Sequence, residues 1–341
     1  MHFPNALLSV LAATQALAHP GHDVREEALA RRAYLESAKR TDLSHCAAKL
    51  RARGHEQRGV QRRQALAAQN AKRGIVQRAP SDINKTHLST ADFDQNTPLH
   101  DVFAVNASCV LSPEVTEGPY YVAGEFVRKD VTEKQAGVPL YIDIDILDVT
   151  TCDPVTDVWV EIWSCNATGV YSGVATGAAF KPAPENLNNT FLRGFQKSDA
   201  DGAVQFASLF PGHYDGRTHH VHVAVHPSAT ERANNTIADS TVSHLGQMYF
   251  DQDLLDRVEA LEPYASNTAG WTRNAQDWLL MQGLATSDPL MQYVLLGEKL
   301  EEGVLAWLSF GINTTYSKEA FVAATYYAEG GKANTKRPFL E

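Results

Sequence analysis

Between residues 213 and 226 the chain reads HYDGRTHHVHVAVH, which gathers five of its 13 histidines beside Tyr214 and Arg217. Side chains alternate along a strand, so in HVHVAVH the rings of His220 and His222 share one face while Val221, Val223 and Val225 take the other. Two imidazoles about 6–7 Å apart on one strand face can both reach a single metal ion. An isolated His-x-His could equally be a solvated face, but the apolar opposite side marks a core strand, where imidazoles need partners. His226 continues the ligand face as a supporting group, whereas His213 and His219 are not read as ligands. Zinc in a histidine-rich site is the metal alternative, although tyrosine is an uncommon zinc ligand.

These residues must be held by strands. From about residue 96 the chain consists of short β-rich runs separated by turn clusters: 139–149, 158–165, 203–210 and 220–226. PLYIDIDILDV alternates apolar and acidic residues at period two, and SDADG (198–202) supplies a tight turn before the next strand. Asp199 and Asp201 lack the rest of a calcium loop and read as turn residues. Short strands at this spacing predict a mainly β fold, a sandwich. Residues 251–262 predict a short helix, a long irregular stretch follows, and 304–313 predicts a final strand closing the core. No internal repeat is present.

The 341 residues are 44% hydrophobic and 21% charged, enough to bury a substantial core. Residues 1–18 form an apolar stretch ending in Ala16, Leu17 and Ala18, a signal-peptide pattern too short to span a membrane. Six Asn-x-Ser/Thr acceptor sites, at Asn84, Asn106, Asn166, Asn188, Asn234 and Asn313, suit a secreted glycoprotein. Four cysteines suit two disulfides in an oxidising compartment. Cys152 and Cys165 flank an expected hairpin connection and are expected to pair; by elimination Cys46 then pairs with Cys109. Residues 19–80 hold 14 Lys or Arg against 6 Asp or Glu, in a chain of net charge −10. This Ala-, Leu-, Arg- and Gln-rich part, without proline between Pro20 and Pro80, predicts a basic helical arm or pro-segment over 19–95 that packs on an acidic body, a β-sandwich domain at 96–341 with an irregular C-terminal extension. A polyanion-binding arm is the alternative.

Several blocks in order resemble the intradiol ring-cleavage dioxygenases, and within them a secreted fungal branch. Glu161 and Ile162, then six residues, then Gly169-Val170-Tyr171 fit the family signature without a gap. Tyr214, Arg217, His220 and His222 match its second block, with the tyrosine nearer the histidines than in bacterial catechol enzymes and similar to a shorter fungal form. EGPYY (117–121) resembles a segment lining the substrate pocket, which would place Gly118, Pro119 and Tyr120 there; GQMYF (246–250) resembles a strand that brings Gln247 near the ring. The resemblance spans roughly 109–313.

The resemblance implies Fe(3+) held by Tyr171, Tyr214, His220 and His222, with Tyr171 and His220 equatorial and Tyr214 and His222 axial. Hard phenolate donors suit the ferric state, and four ligands leave room for substrate. Tyrosine ionises near pH 10, so a phenolate ligand requires a cation that lowers that value. The family reaction is cleavage of a catechol between its hydroxyls with O2 to a cis,cis-muconic acid. Tyr214 would leave the metal and take a catechol proton, and Arg217 would stabilise negative charge on the ring. The partners implied are small catechols and O2, with no nucleic acid, no membrane span and a homodimer as one allowed assembly. A secreted β-sandwich that only binds ligands is the competing class, since fold does not fix function. Extradiol cleavage would use iron(II) with two histidines and a carboxylate, which the tyrosines argue against.

Overall fold

In PLYIDIDILDV the apolar residues point inward and the acids outward, and both faces are used. The computed structural model describes residues 43–71, the backbone of 108–109, and 118–177, 181–284 and 287–334. The stretch 1–18, Asn84, Asn106, Glu117 and the Cys109 side chain lie outside the described residues. Strands β1 (Pro139–Asp148), β4 (Ala203–Leu209), β7 (Gln292–Leu295) and β8 (Val304–Ile312) form one sheet. Strands β2 (Trp159–Trp163), β3 (Arg193–Lys197), β5 (His220–His226) and β6 (His244–Tyr249) form the other, in the antiparallel order β6-β5-β2-β3. Among the described residues strand exceeds helix, and the two sheets enclose one core: a β-sandwich.

That core takes Leu140, Ile142, Ile144 and Ile146 from β1, and Val204 and Phe206 from β4. It takes Val160 and Ile162 from β2 and Val221, Val223 and Val225 from β5. Fully burying each such side chain contributes about 1.5–3 kcal/mol. Residues 304–312 form the expected core strand, but it is not the last strand of the chain. β8 is interior, parallel to β1 on one side and antiparallel to β7 on the other. Its nine buried residues suit a strand covered on both faces. Nor is the chain after β8 irregular throughout: Ala324–Tyr327 pairs with Val122–Ala123 and with Gly330–Ala333.

The outer face of the first sheet is covered by α2 (His55–Asn70), which follows the short α1 (Ala47–Ala52). Val60, Leu66 and Ala67 of α2 pack on Leu305 and Trp307. Arg62 and Arg63 meet the outward acids of β1: Arg62 Nε lies 2.7 Å from Asp143, and Arg63 Nη2 lies 3.1 Å from Asp145. Ser309 Oγ donates to Asp145 at 3.0 Å. Removing one partner of such a buried pair costs about 3–5 kcal/mol, because the other charge is left uncompensated.

The cysteine pairing differs from the expectation. Cys46 is bonded to Cys152, joining the start of α1 to the turn after β1, and Cys165 is a buried free thiol. Cys152 and Cys165 are separated by the sandwich itself: Cys152 packs with Leu43, Leu50 and Val149 at the arm, while Cys165 follows β2 in the opposite sheet. The Cys165 thiol lies 3.4 Å from the Gly212 carbonyl oxygen, and burial pushes it up to about 12.

Candidate metal centre and active site

The register of the second sheet divides its residues by function. Trp163 lies opposite His222 and opposite Arg193, Glu161 opposite Ala224, and His226 opposite Trp159. Across the other edge, Gln247 lies opposite His222 and Tyr249 opposite His220. Opposed residues share a face, so one side of this sheet carries Tyr249, Gln247, His220, His222, Trp163, Glu161, Arg193 and His226. The other side is the apolar core.

Tyr171 reaches this face from the loop after β2. Gly169 has φ +79°, and a Cβ there would collide with the His213 carbonyl oxygen, so the turn that delivers Tyr171 requires glycine. The Tyr171 hydroxyl lies 3.2 Å from Nε2 of His220 and 3.2 Å from Nε2 of His222. Nδ1 of His220 donates to the Thr218 carbonyl at 2.7 Å, which leaves Nε2 as the lone-pair donor. The Trp163 indole stacks on His222 at 4.6 Å and 5°. Tyr214 packs edge-on against both Tyr171 and His220, with ring centroids 5.7 Å away in each case. Tyr120 stacks on Tyr171 at 4.3 Å and meets Tyr214 edge-on at 5.5 Å. Gly118 and Pro119 belong to the same 3-10 turn as Tyr120.

The electrostatics of this cluster fit a tyrosine-bound cation. Burial pushes the Tyr171 phenol well above its ordinary value, with Tyr214 adding to the effect. Burial likewise holds His222 far below the usual imidazole range, and Arg217 and Arg193 act in the same direction. The imidazole is therefore a neutral nitrogen donor, and the phenol needs a cation to ionise. Two imidazoles and two phenols can supply two nitrogens and two anionic oxygens, a donor set for a hard trivalent metal.

Arg217 is fully buried and held from several sides. Its Nε donates to Asp277 at 2.9 Å, Nη1 lies 3.4 Å from the Tyr214 hydroxyl, and Nη2 donates to Tyr249 at 2.9 Å and to Gln247 Oε1. Asp277 also accepts from the Thr218 amide at 2.9 Å and from the Leu280 amide at 3.0 Å, at the start of α4 (Trp278–Leu284). Gln247 therefore meets Arg217 as well as facing His222. His226 lies 3.2 Å from Glu161 Oε2. His213 and His219 point to Glu259 at the end of α3 (Gln252–Glu259), at 2.9 and 2.6 Å. Those three residues place their ligand atoms within 4.8 Å of one another. Both rings address the same carboxylate oxygen, which engages the group internally.

The structure thus brings together all four proposed ligands, Arg217, Gln247 and Tyr120. Sequence reasoning missed Tyr249, Trp163, Arg193 and Asp277. Tyr249 and Trp163 could have been found by the alternation that marked the histidines, since Tyr249 stands two residues from Gln247. Asp277 has no local signal, because only the path of the chain brings it to Arg217.

A family model described as Dioxygenase matches residues 116–267. No curated protein matches the chain. Among solved structures, an intradiol ring-cleavage dioxygenase from Tetranychus urticae is 30% identical over 61% of this chain and 97% of its own, with a TM-score of 0.50. A catechol 1,2-dioxygenase from Acinetobacter sp. ADP1 is 20% identical over 59% of this chain and 62% of its own, with a TM-score of 0.34. With its signature residues gathered on one sheet face and a 30% identical relative matched over almost its whole length, the chain belongs to the intradiol ring-cleavage dioxygenase family.

Proposed function

We propose that this dioxygenase is a secreted iron(III) enzyme that opens catechol-type rings between the two hydroxyls and inserts both atoms of O2, yielding cis,cis-muconic acids. Tyr171, Tyr214, His220 and His222 would hold the iron. The observation that carries this is the Tyr171 hydroxyl standing 3.2 Å from Nε2 of both histidines. When bound, the iron would supply a Lewis acid for the catechol, and phenolate donors would favour its ferric state. The protein does the rest. Tyr214 Oη takes a catechol proton, and Arg217, beside that hydroxyl, presents a fixed cation to the charge that develops on the ring. Asp277 and Tyr249 keep the guanidinium in place, so it acts without reorganising. Gly118, Pro119, Tyr120 and Gln247 line the substrate side, with the buried aromatic stack excluding water.

Secretion is supported by residues 1–18, by the six glycan acceptor sites and by the Cys46–Cys152 bond. Among the described residues no helix is long and apolar enough to cross a membrane. The test is metal analysis and a visible spectrum of the purified protein, followed by catechol and O2. About one iron per chain and a red colour from phenolate-to-iron charge transfer are expected, with a muconate as product. A colourless, fully zinc-loaded protein or a yellow semialdehyde product refutes the proposal.

A further inference from the structure

Arg193 is a second fully buried arginine on the site face, and its geometry differs from that of Arg217. Its Nε donates to the Ser172 carbonyl at 3.0 Å and to Ser172 Oγ at 3.1 Å. Its Nη2 donates to the Tyr120 carbonyl at 2.7 Å and to the Ser172 carbonyl at 2.8 Å. One planar fork therefore ties the backbone of Tyr120 to that of the residue after Tyr171, the two rings that stack at 4.3 Å. Cζ of Arg193 lies 5.9 Å from the centroid of the Tyr171 ring.

The charge of this group is poorly compensated. Nη1 is buried without a hydrogen-bond partner. Its carboxyl neighbour Glu125 stands only 3.7 Å from Nε, and burial pushes that carboxyl above the usual carboxylate range. Glu161 is turned toward His226. Arg217, in contrast, has Asp277 at 2.9 Å.

We propose that Arg193 is a positioning residue for the aromatic half of the site: its guanidinium sets the Tyr120–Tyr171 stack and keeps a fixed positive charge beside the Tyr171 ring. This rests on the reading of Tyr171 as an iron ligand. A cation close to a phenolate lowers the energy of its donor electrons. Losing that cation should move the phenolate-to-iron band to longer wavelength, and losing the fork that positions the Tyr171 segment should loosen the metal.

The experiment compares wild type, Arg193→Met, Arg193→Lys and Asn186→Ala. Asn186 also pins this segment, donating to the Tyr171 carbonyl at 2.5 Å, but carries no charge. Metal-free proteins are read by near-ultraviolet circular dichroism, which reports the stack. Iron-loaded proteins are read by the visible band under anaerobic catechol and by iron loss to a chelator. Arg193→Met should weaken the tyrosine dichroism, red-shift the band and lose iron ~10-fold faster. Arg193→Lys should keep the band position but share the dichroic loss, because it has charge without the fork. Asn186→Ala should leave the band in place.

If Arg193→Met matches wild type in dichroism and band, or if Asn186→Ala shifts the band equally, the proposal is overturned. Should Arg193→Met not fold, Arg193→Lys decides alone: unchanged dichroism, or a displaced band, overturns it. A wild-type protein that takes up iron without a phenolate band refutes the ligand reading and with it the charge beside a phenolate. The stacking role is then judged by the metal-free dichroism, where a wild-type signal in Arg193→Met overturns it.

Discussion

Tyr171 and Tyr214 are chemically identical side chains in unequal surroundings. Tyr171 is stacked by Tyr120, bracketed by two imidazoles and held through its own carbonyl by Asn186. Tyr214 stands edge-on to its neighbours and beside the Arg217 guanidinium. The first suits a ligand that persists, the second one that leaves and takes a proton. Tyr214→Phe should therefore retain iron and bind catechol but turn over at least ~100-fold more slowly, since a positioned proton acceptor contributes that much. Tyr171→Phe should mainly fail to retain iron. Spectra of anaerobic catechol complexes separate the two: wild type and Tyr214→Phe should converge, each keeping only the Tyr171 phenolate. Convergence of wild type with Tyr171→Phe would reverse the assignment.

At the scale of elements, Glu259 joins α3 to the entry of β5 through His213 and His219. Burial alone would raise its carboxyl, but the hydrogen bonds from the two histidines outweigh burial and bring it down to about 2. A carboxyl depressed from 4.5 contributes stability that is complete above about pH 4.5 and lost as pH falls toward 2. Burial also holds His219 below its usual value, so the unfolded chain takes up that proton first on acidification and the sign is the same. Wild type should thus lose stability steadily from about pH 6 downward. Glu259→Gln should lower stability at pH 7 by about 2 kcal/mol and flatten the acid slope below pH 4.5, where Asp148, Asp153 and Glu319, whose carboxyls are also lowered, keep the remainder. Urea melts at pH 7, 5 and 3 measure both effects, and parallel slopes in the two proteins would contradict the assignment.

For the whole molecule, the arm is held to the sandwich by a buried ion-pair network and by one covalent bond. Cys46–Cys152 closes a span of 106 residues, and a loop of that size is worth about 2–5 kcal/mol when cross-linked. Cys152→Ser should lower the melting temperature and open residues 43–71 to protease, while iron content stays unchanged because the centre lies on the other sheet. Non-reducing peptide mapping should find Cys46 linked to Cys152, and Cys165 as a thiol that alkylates only after denaturation. Iron lost together with the bond would show that arm and centre are coupled.

Which features were legible in sequence follows from the range of the interactions involved. The alternation of HVHVAVH places His220 and His222 on one face whatever surrounds them, because period two belongs to the strand itself. The same holds for the apolar and acidic faces of residues 139–148, and for Gly169, whose place in the signature reflects a turn no side chain tolerates. Strand pairing across the molecule is a different matter. Nothing local in 304–312 distinguishes an interior strand from an edge one; that depends on a parallel partner some 160 residues away. Cys152 looks as near to Cys165 as to any partner until the sandwich separates them. Asp277 becomes the anchor of Arg217 only because the segment after α3 folds back over the site. Arg193 and Glu125, unremarked in sequence, become a buried pair because β3 and the 125–126 segment meet beneath the aromatic stack. Local periodicity selects faces and turns, while loop closure and sheet order, which depend on the whole chain, select partners.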